Sequence, residues 1–259
     1  MRHAIIIEGY GTASGYECAN QMHAERLTEM LGEEVYYGCA HIGEPAIEDT
    51  IEEVASEEPD ALIVVPLYFA PSDFTEGNTL RRFNADPKTR RGRFDLGGRE
   101  VDVYVAKVFT TDPGMVDYIR RIAASEVKDK QRTGIILVGH GSRTGENMAI
   151  IEGFRKDLAE QGYDVVSCSN EFSEQTVEAG LETISSRKDD IVVIPMFVSP
   201  NHHAREEVTA KLGLGKGRME GTVAKNGKSI SIRMVEEIGC RREVLPILLR
   251  TIRESGFLE

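Results

Sequence analysis

The sequence has no apolar run long enough to cross a bilayer. Its longest, Ala61 to Pro66 and Ile191 to Val198, fall far short of the roughly 20 residues that a membrane span requires. No leader is expected either: Met1-Arg2-His3 runs directly into a strand-like segment, whereas a signal peptide would place a longer apolar stretch there. Cysteine is sparse and dispersed. Cys18, Cys39, Cys168 and Cys240 form no C-x-x-C pair, which speaks against a disulfide frame or zinc knuckle and for reduced thiols. Positive charge is also short, since 31 Lys and Arg against 43 Asp and Glu give a net charge of -12. The average field therefore repels nucleic acid and anionic membranes, and any anionic ligand needs a local basic site. With 9 Pro, 25 Gly, 41% apolar and 29% charged residues, collagen-like repeats and disorder are excluded. What is left is an ordinary globular chain, expected in the cytoplasm with neither membrane nor nucleic-acid partners. Its 259 residues allow one large domain or two small ones, either able to bury a core.

Internal similarity decides between these. Ala4-Ile5-Ile6-Ile7-Glu8-Gly9-Tyr10-Gly11 returns 130 residues later as Gly134-Ile135-Ile136-Leu137-Val138-Gly139-His140-Gly141. Ala46 to Glu52 matches Thr176 to Glu182 at the same offset, and Ala61 to Phe69 matches Asp190 to Val198 at 129. Three matched blocks in order indicate two copies of one unit, placed at 1–128 and 129–259 and joined near the charged stretch Glu126 to Arg132. Each copy reads as a buried strand ending in Gly-x-Gly, an amphipathic helix, a short strand, a second helix, and a continuous apolar strand ending at Pro66 or Pro195. In the second copy Met148, Ile151, Phe154 and Leu158 fall on one helical face. Continuous apolar strands separated by helices predict an α/β fold, each domain a central parallel sheet flanked by helices.

After the long strand, each copy carries a locally basic segment. Asn84 to Glu100 holds Lys88, Arg90, Arg91, Arg93 and Arg99 against three acidic residues, and Gly213 to Ser229 holds Lys216, Arg218, Lys225 and Lys228 against Glu220. Gly97-Gly98 and Asn226-Gly227 are hairpin turn pairs. A solvated hairpin and a lid that meets carboxylates are both open readings.

Nucleotide motifs fail. Gly9-Tyr10-Gly11 and Gly139-His140-Gly141 are followed by Ser14 and Thr144 where a dinucleotide fingerprint needs a third glycine. Gly227-Lys228-Ser229 has Thr222 where a phosphate loop needs glycine, and Gly141-Ser142-Arg143 is not a nucleophile elbow. No nucleotide cofactor is expected. His3, His23 and His41 read as structural. His140 differs, since it stands between two glycines at the end of a first parallel strand, the edge where open α/β sheets bind ligands. Glu171 and His202 or His203 follow neighbouring strands at the same edge. Together they make a set able to hold a first-row divalent metal with open positions.

These residues resemble the class II chelatases, the sirohydrochlorin cobaltochelatases and ferrochelatases, over nearly the whole chain. The resemblance rests on Val138-Gly139-His140-Gly141-Ser142-Arg143, on Asn170-Glu171-Phe172-Ser173-Glu174, and on Ile194-Pro195 through Ser199-Pro200-Asn201-His202-His203-Ala204-Arg205-Glu206-Glu207. It implies two chelatase-like domains with a cleft between them, and insertion of Co²⁺, Fe²⁺ or Ni²⁺ into sirohydrochlorin. The family pattern falls on His140, Glu171 and His203 as metal and catalytic residues, with His202 the alternative to His203. The metal is then a substrate, and nothing further is required as a cofactor. A monomer or homodimer suffices.

The first copy departs from the pattern. Tyr10 stands where the second copy has His140, His41 where it has Glu171, and Phe74 where it has His203, so only the C-terminal copy is expected to bind metal. Substrate contacts are expected from Tyr10 and Phe74 against the ring face, from Ser142, and from Arg143, Arg205, Arg90 and Arg91 to the macrocycle's carboxylates. Plain core packing is the competing reading for Tyr10 and Phe74. A non-catalytic tetrapyrrole or metal carrier is the competing function.

Overall fold

The computed structural model describes residues 2–13, 15–225 and 227–258; Ser14 and Asn226, which figured in the motif readings, lie outside them. Packing groups the chain into two compact units, 1–112 with 242–259, and 113–241.

In unit 1, β1 (His3–Gly11), β2 (Val35–Ile42), β3 (Ala61–Leu67), β4 (Arg91–Leu96) and β5 (Arg99–Val105) form one sheet in the order β2-β1-β3-β5-β4. Every pair is parallel except β4 with β5. Helices α1 (Ala19–Leu31), α2 (Ile47–Ser56) and α3 (Glu76–Arg82) connect the strands. β3 is buried at every position, as a strand covered on both faces must be. On one face Ile6, Leu62, Val64, Val103 and Val105 pack with Ile47, Val54, Leu80 and Phe83. Each such side chain contributes about 1.5–3 kcal/mol by leaving water. Gly97 and Gly98, at φ +62° and +87°, close the β4–β5 hairpin with the two left-handed residues that match strand twist.

Unit 2 opens with α4 (Gly114–Glu126) and continues through β6 (Thr133–Gly139), α5 (Glu146–Glu160), β7 (Asp164–Ser169), α6 (Val177–Ser185) and β8 (Asp190–Pro195). A five-residue π-helix (His203–Glu207) runs into α7 (Val208–Lys211), followed by β9 (Glu220–Lys225) and β10 (Lys228–Met234). Its sheet has the order β7-β6-β8-β10-β9, with only β9 and β10 antiparallel. Ile136, Val138, Ile191, Val193 and Ile232 form its core with Leu181, Ile184, Val208 and Leu212. The apolar face expected on α5 is buried at Ile151, Phe154 and Leu158, and Met148 is half-buried.

Sequence similarity divides the chain at 128/129, whereas packing divides it at 112/113 and 241/242. The difference lies in α4 and in the last helix of the chain. α4 buries Met115, Tyr118, Ile119 and Ile122 within unit 2, where the Tyr118 hydroxyl donates to Ile238 O at 2.6 Å. α8 (Leu245–Arg253) buries Leu245, Ile247, Leu248 and Ile252 within unit 1. Periodicity shows that a helix has an apolar face, not which sheet that face covers. Among the described residues the four cysteines are free thiols, and no helix is long and apolar enough to cross a membrane.

Candidate metal centre

The parallel ladder of unit 2 continues past its strand ends and fixes two site residues side by side. Asn170 N–H donates to Gly139 O at 2.8 Å, and Glu171 N–H donates to His140 O at 2.9 Å. Ser169 Oγ donates to the carbonyls of His140 and Glu171. Gly141 between them is at φ +92°, and a Cβ there would sit 2.1 Å from Glu171 O and 2.2 Å from Ser169 Oγ. Only glycine fits so close an approach.

The third residue arrives from the π-helix beyond β8. Ala204 N–H is capped by Asn201 Oδ1 at 2.8 Å, and His203 O accepts from Val208 N–H, five residues on. His203 then faces His140 edge-on, with ring centroids 4.8 Å apart and planes at 81°. His203 Nδ1 is 3.7 Å from Glu171 Oε1. His140, Glu171 and His203 can each offer one ligand atom within 4.8 Å of the others, and all three are half-buried. Two imidazoles and a carboxylate, open on one side, suit a divalent first-row ion that must enter and leave.

His202, the alternative ligand, is the more exposed of the adjacent pair. Its Nδ1 lies 3.4 Å from Glu206 and its Nε2 3.4 Å from Glu207 Oε1. Glu207 Oε2 stands 3.0 Å from His203 Nδ1 and accepts from Asn170 Nδ2 at 2.7 Å. The Asn170 bond, and then His203, hold the Glu207 carboxyl below its ordinary range.

The expected substrate contacts divide. Arg143 is exposed and lies 5.6 Å over the Phe172 ring, which is itself 53% exposed and 6.3 Å from His140. Phe172 holds a left-handed φ of +59°, uncommon for a bulky residue. Its sequence signal was only its place beside Glu171, since exposure of an aromatic cannot be read from residue type. Ser142 Oγ accepts from Gly145 N–H at 2.9 Å and contacts Glu146 at 3.3 Å. Two of the expected cations have partners within their own units. Arg90 is buried, its guanidinium donating to Val105 O and Ala106 O and paired with Glu76. Arg205 is bidentate on Glu237, whose side chain is fully buried. Both guanidiniums serve buried acceptors in their own units; the Arg90 side chain is 9% exposed, whereas that of Arg205 is 33% exposed.

Several cations of the basic segments have acidic partners where they lie. Arg93 pairs with Glu100 and Asp102, Lys225 with Glu182, and Lys228 with Asp189. Arg91 donates to Ser255 O at 2.5 Å and lies over the Tyr104 and Phe257 rings. With Arg81, Arg93, Glu76 and Asp86 it lines a groove of about 910 Å³ in unit 1, too mixed in charge to be an anion trap.

Unit 1 repeats the geometry of this edge with other side chains. His41 lies between Tyr10, at a ring distance of 4.6 Å, and Phe74, stacked on it at 5.0 Å with nearly parallel planes. Tyr10 is 47% and Phe74 59% exposed, so neither is a core residue. Partial burial, and next the charge of Arg82, lower the His41 pKa. Arg82 is held by Glu8 at 2.7 Å, a fully buried carboxylate that also accepts from Tyr68 and Thr79.

A mostly parallel sheet that gathers two histidines and a carboxylate at its carboxyl edge makes this an α/β protein with a group able to hold a metal ion. Comparison with known proteins narrows this. The CbiX family model matches residues 134–255 and the Ferrochelatase model residues 7–160. The chain belongs to the class II chelatase family. A sirohydrochlorin cobaltochelatase of Methanococcus maripaludis is 31% identical over 90 residues, 34% of this chain and 62% of that protein, so the match spans less than two thirds of that relative. A probable sirohydrochlorin cobaltochelatase of Halobacterium salinarum is 26% identical over 223 residues, 79% of this chain and 75% of that one. Among solved structures, SirB from Bacillus subtilis with Fe³⁺ superposes with a TM-score of 0.67 at 17% identity, covering 99% of this chain and 96% of that one; this is a likeness of fold.

Proposed function

We propose that this protein is a cytoplasmic chelatase, a lyase that inserts a divalent metal into sirohydrochlorin in cobalamin or siroheme biosynthesis, with Co²⁺ favoured and Fe²⁺ or Ni²⁺ also suited to the ligand set. The observation that carries this reading is the His140–Glu171–His203 cluster on a class II chelatase fold. Curated relatives that bear the cobaltochelatase name support the choice of substrate and metal. In this reading the chain holds two copies of one unit, and the second has the working ligands.

Insertion asks two things of the site. The metal must exchange water for protein ligands and then for pyrrole nitrogens, and two pyrrole N–H protons must leave. Imidazole serves both, since its unperturbed pKa near 6.5 lets it bind a cation or accept a proton around neutrality. His140 and His203 are assigned as ligands and proton acceptors, and Glu171 as third ligand or auxiliary base. Arg143 and Ser142 are the candidates for the macrocycle's carboxylates beside the metal, with Arg91 as a further cation. Tyr10 and Phe74, exposed and stacked about His41, suit the face of a conjugated ring.

Incubation with sirohydrochlorin and Co²⁺, or Fe²⁺ without oxygen, tests the reading through the absorbance change on insertion. The wild type is expected to exceed the rate of metal alone. His140→Ala and His203→Ala should each abolish that excess while keeping tetrapyrrole affinity within about tenfold, because each removes a transition-state contact and little of the binding surface. Tetrapyrrole spectra with no rate above the metal-only control would make the protein a carrier instead.

A further inference from the structure

Three polar residues behind His203 form a directional chain that the insertion chemistry itself does not use. Lys211 Nζ donates to Asn170 Oδ1 at 2.8 Å and to Asn170 O at 2.6 Å. An ammonium has donors only, so the oxygen of the Asn170 amide must face Lys211, and this turns Nδ2 toward Glu207. Asn170 Nδ2 donates to Glu207 Oε2 at 2.7 Å, and the same oxygen is 3.0 Å from His203 Nδ1. A carboxylate can only accept, so the proton of that last bond belongs to Nδ1. Glu171 Oε1, at 3.7 Å from the same nitrogen, is beyond hydrogen-bonding range.

From this geometry we infer that Lys211, Asn170 and Glu207 are positioning residues: together they hold the Nδ1–H tautomer of His203 and present its Nε2 as the metal-binding nitrogen. The inference rests on the proposed role of His203 as a ligand. Outer partners of this kind fix ring orientation and tautomer in metal sites. A second observation supports it. By the repeat offsets, the counterparts of Asn170, Glu207 and Lys211 are Ala40, Asn78 and Arg82. Asn78 turns its amide to Phe74 O and Arg81, and Arg82 is committed to Glu8. The half that lacks the ligands lacks the chain as well.

Two measurements test it on the full-length protein. In metal-free, ¹⁵N-histidine-labelled protein, long-range ¹H–¹⁵N spectra should show His203 as the Nδ1–H tautomer, and Glu207→Ala should mix the tautomers. Titrated with Co²⁺ alone, Glu207→Ala should bind about 10–100-fold more weakly than wild type, the range typical for loss of an outer-shell partner. Glu207→Gln, which keeps an oxygen where Oε2 lies, should remain within about threefold of wild type if hydrogen bonding is the function. Lys211→Met should weaken binding in the wild type and add nothing to Glu207→Ala, the signature of two residues acting in one chain. An Nε2–H tautomer in the wild type would overturn the inference. So would Glu207→Gln as weak as Glu207→Ala, which would make Glu207 a ligand or a charge. His140→Ala separates the two levels: if it and the wild type bind Co²⁺ alike, the metal reading itself fails, and the tautomer spectra still decide the role of Glu207.

Discussion

The carboxyl edge of unit 1 presents Tyr10, His41 and Phe74 where that of unit 2 presents His140, Glu171 and His203, on sheets of the same strand order. Both edges use a left-handed glycine, Gly11 at φ +86° and Gly141 at φ +92°, to let neighbouring strands approach. Both keep three side chains within touching distance. The backbone thus supplies convergence, and side-chain identity decides whether the converged group could hold a metal or forms an aromatic stack. The two also differ in what stands behind them: unit 2 has the chain through Glu207, and unit 1 has the buried pair Glu8–Arg82.

The strongest way to break this comparison is to convert one edge into the other. Tyr10→His, His41→Glu and Phe74→His together should raise Co²⁺ stoichiometry from one to two per chain, measured by equilibrium dialysis with metal analysis. The new site should be about 10–100-fold weaker than that of unit 2, since it lacks the outer partners. Retention of a single equivalent would mean that matched backbones do not bring the new ligands together.

A smaller effect is expected at the shared glycines. Gly141→Ala places a Cβ 2.1 Å from Glu171 O, and Gly11→Ala one 1.7 Å from Ile42 O. Each also forces a non-glycine residue into a left-handed conformation, so each should cost about 1–3 kcal/mol or more in stability by urea denaturation. The two variants should part on metal. Gly141→Ala pushes Glu171 from His140 and should weaken Co²⁺ binding about tenfold, while Gly11→Ala should leave it unchanged. Equal losses of Co²⁺ affinity in both would show that the edges are not independent in chemistry.

Much of this comparison was legible in residue order. Matched blocks at offsets of 130 and 129 mark the two sheets, and Gly139-His140-Gly141 at the end of an apolar strand marks the edge where His140, Glu171 and His203 meet. What was hidden depends on partners distant in sequence. The exchange of α4 and α8 between packing units turns on which sheet a helix covers. Arg90 and Arg205 look like free cations until Val105 O, Ala106 O and the buried Glu237 take their donors. The link from Lys211 through Asn170 to Glu207 was hidden because it crosses from the end of β7 to α7, and no spacing rule joins those elements.

The mildest test concerns the aromatic edge. Tyr10 and Phe74 are exposed, and His41 stacks between them, so removing either ring costs little core packing. Stability of Tyr10→Ala and Phe74→Ala should stay within about 1 kcal/mol of wild type, as for most surface substitutions. Co²⁺ binding should be unaffected, because no ligand is touched. If the rings meet the macrocycle face, each variant should raise KM for sirohydrochlorin about twofold to thirteenfold, the equivalent of the roughly 0.5–1.5 kcal/mol that an aromatic contact adds, with kcat nearly unchanged. A fall in kcat at constant KM would assign the stack to the insertion step rather than to binding. Unchanged kinetics in both variants would leave His140, Glu171 and His203 sufficient without the aromatic edge, and the likeness between the two edges would then be one of backbone alone.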